Sequence, residues 1–292
     1  MHPPSTAPTR ACPRPRLTGP RSRPAPALRR TPPHLPEKTS QRKRTTMKIA
    51  IIGAGAIGST LAQRLAGAGH DVTIANSRAP ETVDAAALST GARAAWAADV
   101  TAGAEVVVVS VSLVQVPDVA AVVRSAPSDA VVVDTSNYYP QRDGVLPGFE
   151  DGDVESLWVQ TRYGRPVAKA WNSVLAASFA EKGSAPGAAG RVALPVAADD
   201  DAHRATAMAL VEDTGFDAVD AGALATSWRQ QPGAPAYCTD LTAAELLPAL
   251  AAAEASRSPL RRDLVGEVVT ERAEAGGAIT GDYLLALNRA VY

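Results

Sequence analysis

The chain has 292 residues and a hydrophobic fraction of 46%, enough for one large domain or two small ones, with a core of Ala, Val and Leu because aromatics reach only 4%. The formal charge of −1 hides an asymmetry: residues 1–46 hold 11 of the 29 Lys and Arg against one acid, Glu37, leaving an acidic body without the basic face that nucleic acid requires. Cys12, Cys238 and four scattered histidines exclude a disulfide framework or a metal centre, and no apolar run nears the roughly twenty residues of a membrane span, so a cytoplasmic protein is expected.

Residues 1–46 also carry 11 of the 23 prolines and almost no aliphatic periodicity. Such a segment cannot bury enough apolar surface to offset its ordering entropy, so a disordered tail is expected. It lacks the aromatics of a nucleic-acid-binding arm and the apolar stretch of a targeting peptide. Met47, directly before the first apolar run, is read as the start of the protein proper, with the tail not translated.

Lys48–Ile52 is a short apolar strand that runs into Gly53-Ala54-Gly55-Ala56-Ile57-Gly58, a Gly-x-Gly-x-x-Gly turn. Gly53 permits the tight exit, Gly55 lets backbone approach a pyrophosphate, and Gly58 lets the helix pack close to the strand. A helix over 57–68 places Leu61 and Leu65 on one face and presents the free N–H groups of Ala56 and Ile57 to an anion. Gly67 to Gly69 ends it, and the β-branched strand Asp71–Ala75 completes a βαβ unit. A strand end built for NAD normally offers Asp or Glu to the ribose 2′-hydroxyl. Here stand Asn76, Ser77 and Arg78, with no carboxylate to repel a 2′-phosphate and a guanidinium to pair with one, so NADP(H) is the expected cofactor.

The α/β alternation continues through a helix near 81–88, a strand at 92–95, the valine run 105–111, a helix near 116–125 and a strand at 130–134. After a loop at 135–153 come a helix near 154–163, a strand at 167–171, a helix near 174–181, a strand at 191–196, a helix at 199–213 and a strand at 216–219. This succession predicts a doubly wound parallel sheet of the Rossmann kind over 47–221. Residues 222–292 form a small helical extension, with a loop-rich connector carrying Trp228 and Tyr237 and helices near 243–255, 261–275 and 282–288. Three helices cannot hide their own apolar stripes, so they are expected to pack on the sheet edge or on a second copy of the chain, making a homodimer.

Ligands of such sheets sit beyond the carboxyl ends of the strands. Ser110, Ser112, Thr135, Asn137 and Asn172 stand at those ends, either lining a nicotinamide pocket or capping the next helix. None is a strong base, which suits hydride transfer, where positioning dominates. Lys169 precedes Asn172 with Lys-x-x-Asn spacing; on a strand it faces the same side as Trp171, either as a catalytic acid or as a structural cation. His70 and His203 are read as surface residues.

The chain resembles the NADPH-dependent reductases of the deazaflavin coenzyme F-420. The resemblance is carried by Lys48 to Gly58, Asn76-Ser77-Arg78, Asp134 to Asn137, Val167 to Ser173, Leu194 to Asp200 and Gly215 to Gly222. It implies NADPH held by Gly53 to Gly58 with Ser77 and Arg78, and a deazaflavin ring stacked on the nicotinamide as a small-molecule partner. The helical end after Ala221 is similar to a bacterial subgroup of that family and departs from its compact archaeal members. A reductase of a small carbonyl or imine, with Lys169 as donor, and a non-catalytic NADPH sensor remain as alternatives.

Overall fold

Alternate residues of the central strands face opposite layers of core, which is what makes them apolar at every position. Ile49, Ile51, Val106, Val108 and Val133 pack against Leu61, Leu65, Leu210 and Phe216 on one side. Ile52, Val107, Val109 and Val132 pack against Val116, Val123, Val159 and Tyr163 on the other. A computed structural model describes residues 45–292; the expectations for the tail, residues 1–46, lie outside the described residues except at Thr45 and Thr46, which are exposed.

The strands are Lys48–Ile52 (β1), Asp71–Ala75 (β2), Arg93–Ala94 (β3), Val106–Val109 (β4), Val131–Asp134 (β5), Val167–Lys169 (β6), Ala193–Ala198 (β7) and Asp217–Asp220 (β8). They form one sheet in the order β3-β2-β1-β4-β5-β6-β7-β8, whose first six members follow the doubly wound dinucleotide-binding order. The helices are Ala56–Gly67 (α1), Ala85–Leu88 (α2), Val116–Arg124 (α3), Pro140–Asp143 (α4), Glu155–Tyr163 (α5), Ala176–Glu181 (α6), Asp201–Asp213 (α7), Ala243–Ala251 (α8), Ser258–Glu274 (α9) and Gly281–Val291 (α10). None is long and apolar enough to cross a membrane, among the described residues.

Four expectations are corrected. The sheet is not parallel throughout: β7 pairs antiparallel with β6, through Ala168 with Ala198 and Lys169 with Ala197, and β8 follows β7 in parallel. An antiparallel neighbour needs no crossover connection, and α6 packs beside α1, with Phe179 in the core layer of Leu61 and Leu65. The strand expected over 167–171 stops at Lys169, because Trp171 adopts a left-handed φ of 55° that breaks the alternation. The helix expected near 81–88 divides into a 3-10 turn at Pro80–Thr82 and the single turn α2, since Asp84 is extended and caps the Ala86 N–H. His70 is buried rather than at the surface; its Nδ1 accepts from the Met47 N–H and its Nε2 meets Asp213.

The connector expected to be loop-rich contains a 3-10 helix, Leu224–Gln230, whose Leu224, Ser227 and Gln230 are wholly buried. Beyond it α8 packs Leu246 and Leu250 against Ala193 and Val219 of the outer strands. The last two helices bury few of their own residues and are held mainly by polar ties, Arg262 to Asp151 and Arg289 to the Thr239 and Asp240 carbonyls. α9 buries only Ser258 and Arg262, and α10 only Asn288.

Candidate active site

The turn after β1 has the geometry of a phosphate cradle. Gly53 has φ +107°, and a Cβ there would lie 2.1 Å from the Ser110 carbonyl oxygen; a Cβ on Gly58 would lie 1.9 Å from the Gly53 carbonyl oxygen. Both glycines are required by this chain's own packing. Gly55 is different, because a Cβ there would meet nothing within 4 Å, and its φ of −77° suits any residue. Open space in front of Gly55 lies at the N-terminus of α1, which has no side-chain cap and no acid in its first turn. The N–H groups of Ala56 and Ile57 have no intrahelical acceptor, so the cradle fits the pyrophosphate of a dinucleotide. Gly55→Val should therefore leave the melting temperature unchanged while weakening NADPH binding by at least about tenfold, 1.4 kcal/mol. Equal NADPH affinity by fluorescence titration would contradict this.

Past β2, Asn76 shapes the turn itself. Its Oδ1 accepts the Arg78 N–H at 2.8 Å and its Nδ2 donates to Thr82 Oγ1 at 2.9 Å. Ser77 and Arg78 are left exposed. At the next strand end the Ser110 carbonyl abuts Gly53, and the Ser112 N–H donates to Gln115 Oε1 at the start of a 3-10 turn, Leu113–Gln115. Thr135 is buried, its N–H donating to the Val109 carbonyl.

Asn137 and Asn172 meet directly. Asn172 Nδ2 donates to Asn137 Oδ1 at 3.0 Å, and Asn137 Nδ2 donates to the Asn172 carbonyl at 2.8 Å and to the Tyr237 hydroxyl at 3.3 Å. Gln230 Nε2 donates to Asn172 Oδ1 at 2.9 Å, and the hydroxyls of Tyr237 and Tyr139 lie 2.6 Å apart. Burial pushes both phenols well above the usual tyrosine range. Gln230, Tyr237 and Tyr139 were not picked out from sequence as site residues. The left-handed turn at Trp171, held by its indole N–H donating to Thr214 Oγ1, is what delivers Asn172 to Asn137.

Lys169 is enclosed, with a fully buried side chain. Its ammonium donates to Asp134 Oδ2 at 2.7 Å and to the Ser136 carbonyl, and stands 3.9 Å from Glu155 Oε2. The Asp134 carboxylate also accepts from the Ser136 hydroxyl. Glu155 Oε1 accepts the Tyr138 N–H. Burial raises the Glu155 carboxyl to about 7, against the pull of Lys169.

Tyr139 and Tyr237 form part of the wall of a cavity of about 700 Å³ that residues of α9 and α10 also line, with Leu175, Val265 and Leu284 among them. That volume is in the range of sites for small organic ligands. Of the strand-end residues expected to share a pocket, the structure brings Asn137 and Asn172 together behind this wall.

Three comparisons bear on the chain. The family model for NADP oxidoreductase coenzyme F420-dependent matches residues 48–138. A hypothetical protein from Sinorhizobium meliloti, SMa0349, is 30% identical with a TM-score of 0.57, over 68% of this chain and 96% of that one. A protein from Arthrobacter sp. FB24, provisionally designated an F420-dependent NADP reductase, is 28% identical with a TM-score of 0.49, over 62% and 87% of the two chains. The protein YjhV of Escherichia coli is 52% identical over 61 residues, a match that spans 21% of this chain and only 44% of that relative's length. Over residues 48–138, the part that carries the glycine cradle and the first strands of the sheet, the chain bears the signature of the coenzyme F420-dependent NADP oxidoreductase family.

Proposed function

We propose that the protein transfers hydride between NADP(H) and a conjugated organic acceptor in the cavity beside Tyr139, with the deazaflavin ring of coenzyme F-420 as the leading acceptor. The reading rests on one observation: the hydrogen-bonded series from the strand ends through Asn172, Asn137 and Tyr237 finishes at a phenol that lines the cavity. Gly53, Gly55 and Gly58 with the N–H groups of Ala56 and Ile57 would hold the pyrophosphate. Ser77 and Arg78 would take the 2′-phosphate, Asn76 would shape their turn, and Ser110, Ser112 and Thr135 would flank the nicotinamide. When bound, the nicotinamide supplies or accepts the hydride.

The residues of the chain handle the proton. Donors run outward from Gln230 to Asn172, Asn137 and Tyr237; if Tyr237 donates on to Tyr139, the Tyr139 proton is free for the acceptor. Asn137 and Asn172 thus orient the phenols. Lys169 is a positioning residue, because its ammonium holds Asp134 and the Ser136 carbonyl and so sets Asn137. A small carbonyl or imine is the second reading, favoured by the same phenol, since reduction of either places a proton on its heteroatom.

The direct test mixes NADPH, oxidised coenzyme F-420 and the protein and follows the deazaflavin visible band. Bleaching matched by NADPH oxidation supports the leading acceptor. Reduction of an aldehyde or cyclic imine instead would move the reading to the second. NADPH binding without turnover of any of them would overturn both and leave a sensor. Arg78→Ala should weaken NADPH binding by roughly ten- to a hundredfold, the 1.5–3 kcal/mol of a hydrogen bond to a charged group, and leave NADH binding nearly unchanged. Equal losses for the two nucleotides would sink the 2′-phosphate assignment.

A further inference from the structure

Glu155 joins the two stretches of chain that build the donor series. Its Oε1 accepts the Tyr138 N–H at 3.0 Å, and Tyr138 is flanked by Asn137 and Tyr139, both members of the series. Its own N–H donates to Gln231 Oε1 at 3.0 Å, and Gln231 follows Gln230, where the series begins. The next residue repeats the second tie, because the Ser227 hydroxyl donates to Ser156 Oγ at 3.0 Å with both side chains wholly buried. Two segments far apart in sequence are thus fastened to one turn at the start of α5.

A carboxylate in this position works against folding. Glu155 is 2% exposed, its Oε2 has no hydrogen-bond partner, and Lys169 stands 3.9 Å away. The charged groups acting on it are Lys169 from β6, Asp134 from β5 and Arg262 from α9. Both cations are held more closely by other carboxylates, Lys169 by Asp134 and Arg262 by Asp151. What the charge does supply is the bond to the Tyr138 N–H, which an ionised acceptor makes roughly twice as strong as a neutral one. We propose that Glu155 is a positioning residue for the donor series: its ionised carboxylate fixes the Tyr138 amide, and with it Asn137 and Tyr139, and neutralisation slackens that hold. The inference rests on the proposed function for the role of the series, whereas the coupling of Glu155 to Asn137 stands on the hydrogen bonds alone.

Burial raises the Glu155 carboxyl to about 7, so the hold tightens as pH rises through neutrality. The test has two readouts on the full chain. In amide NMR spectra the Tyr138 backbone proton should move downfield with a midpoint near pH 7, and the side-chain amide signals of Asn137 should follow with the same midpoint. In steady-state assays kcat should rise by up to about tenfold between pH 6 and pH 8, the ratio of ionised fractions for one group titrating near 7. The KM for NADPH should not follow it. Glu155→Gln keeps an acceptor for the Tyr138 N–H and removes only the charge that burial opposes, so the variant is expected to fold. It should abolish the midpoint at both amides and hold kcat at the parent's pH 6 level across the range.

Asn137 signals that stay fixed while Tyr138 titrates would overturn the inference, and so would a Tyr138 amide indifferent to pH. A rise in kcat that survives Glu155→Gln would overturn it too, because the titration then belongs to another group. A chain that turns over none of the acceptors would strike at the proposed function instead, and the amide titration would then decide the coupling by itself.

Discussion

Lys169→Met is expected to destabilise the fold by about 3–5 kcal/mol, the usual cost of removing one partner from a buried ion pair. The ammonium has no exposure, and its loss leaves the wholly buried Asp134 and the 2% exposed Glu155 without their counter-charge. Asp134 keeps the Ser136 hydroxyl, but Glu155 Oε2 has no hydrogen-bond partner, and Lys169 at 3.9 Å is its nearest counter-charge. For a chain of this size the loss corresponds to a melting temperature lower by roughly 10 °C.

The cost should depend on pH. Glu155 titrates at about 7 in the folded protein against 4.5 for an ordinary glutamate, so the native state holds a proton that the unfolded chain has released. Its unfavourable contribution is absent below about 4.5, grows as pH rises towards 7, and is complete above that. Without Lys169 the folded value climbs further and the window extends past 7. Urea titrations of Lys169→Met at pH 6 and pH 8 should show the larger loss at pH 8, and adding Glu155→Gln should restore part of it. A variant within about 1 kcal/mol of the parent at both pH values would remove Lys169 from the role of buried clamp.

The second large effect is on turnover. Tyr139→Phe keeps the ring beside the cavity and deletes the terminal hydroxyl of the donor series, so kcat should fall by roughly 10²–10⁴, the range for loss of a general acid. NADPH affinity should not change, since the ring stays in place and the cradle glycines follow β1, two strands away. Tyr237→Phe should cost less. It breaks the 2.6 Å contact that feeds Tyr139 but leaves the donor itself in place. Steady-state kinetics with a turned-over acceptor would decide: kcat within threefold of the parent for Tyr139→Phe would dismiss the proton-donor role.

The nucleotide-binding half was legible because its signals are local. β1 and β2 fall on the residues expected, since short runs rich in Ile, Val and Ala bounded by glycine or polar residues admit few other readings. Strand direction was not legible. β7 is buried at all six positions, and a strand buried on both faces reads the same whether it runs up or down. The left-handed turn at Trp171 was invisible for a related reason: bulky residues seldom adopt it, so alternation was the better prior. At the site, Asn137 and Asn172 announced themselves by standing at strand ends. Tyr237 lies 100 residues from Asn137, and Gln230 lies 58 from Asn172. No periodicity spans such distances, so their convergence required the fold.

The shallow seating of α9 and α10 bears on how this protein can change. The pair buries only three residues of its own and is otherwise held by polar ties such as Arg262 to Asp151 and Arg289 to the Thr239 and Asp240 carbonyls. Substitutions on the exposed faces of those helices should shift stability by no more than about 0.5 kcal/mol. Mutational drift can therefore rewrite the wall proposed to meet the acceptor while the nucleotide half stays under strict packing control. A lineage built on this frame is free to exchange one electron acceptor for another without first acquiring extra stability.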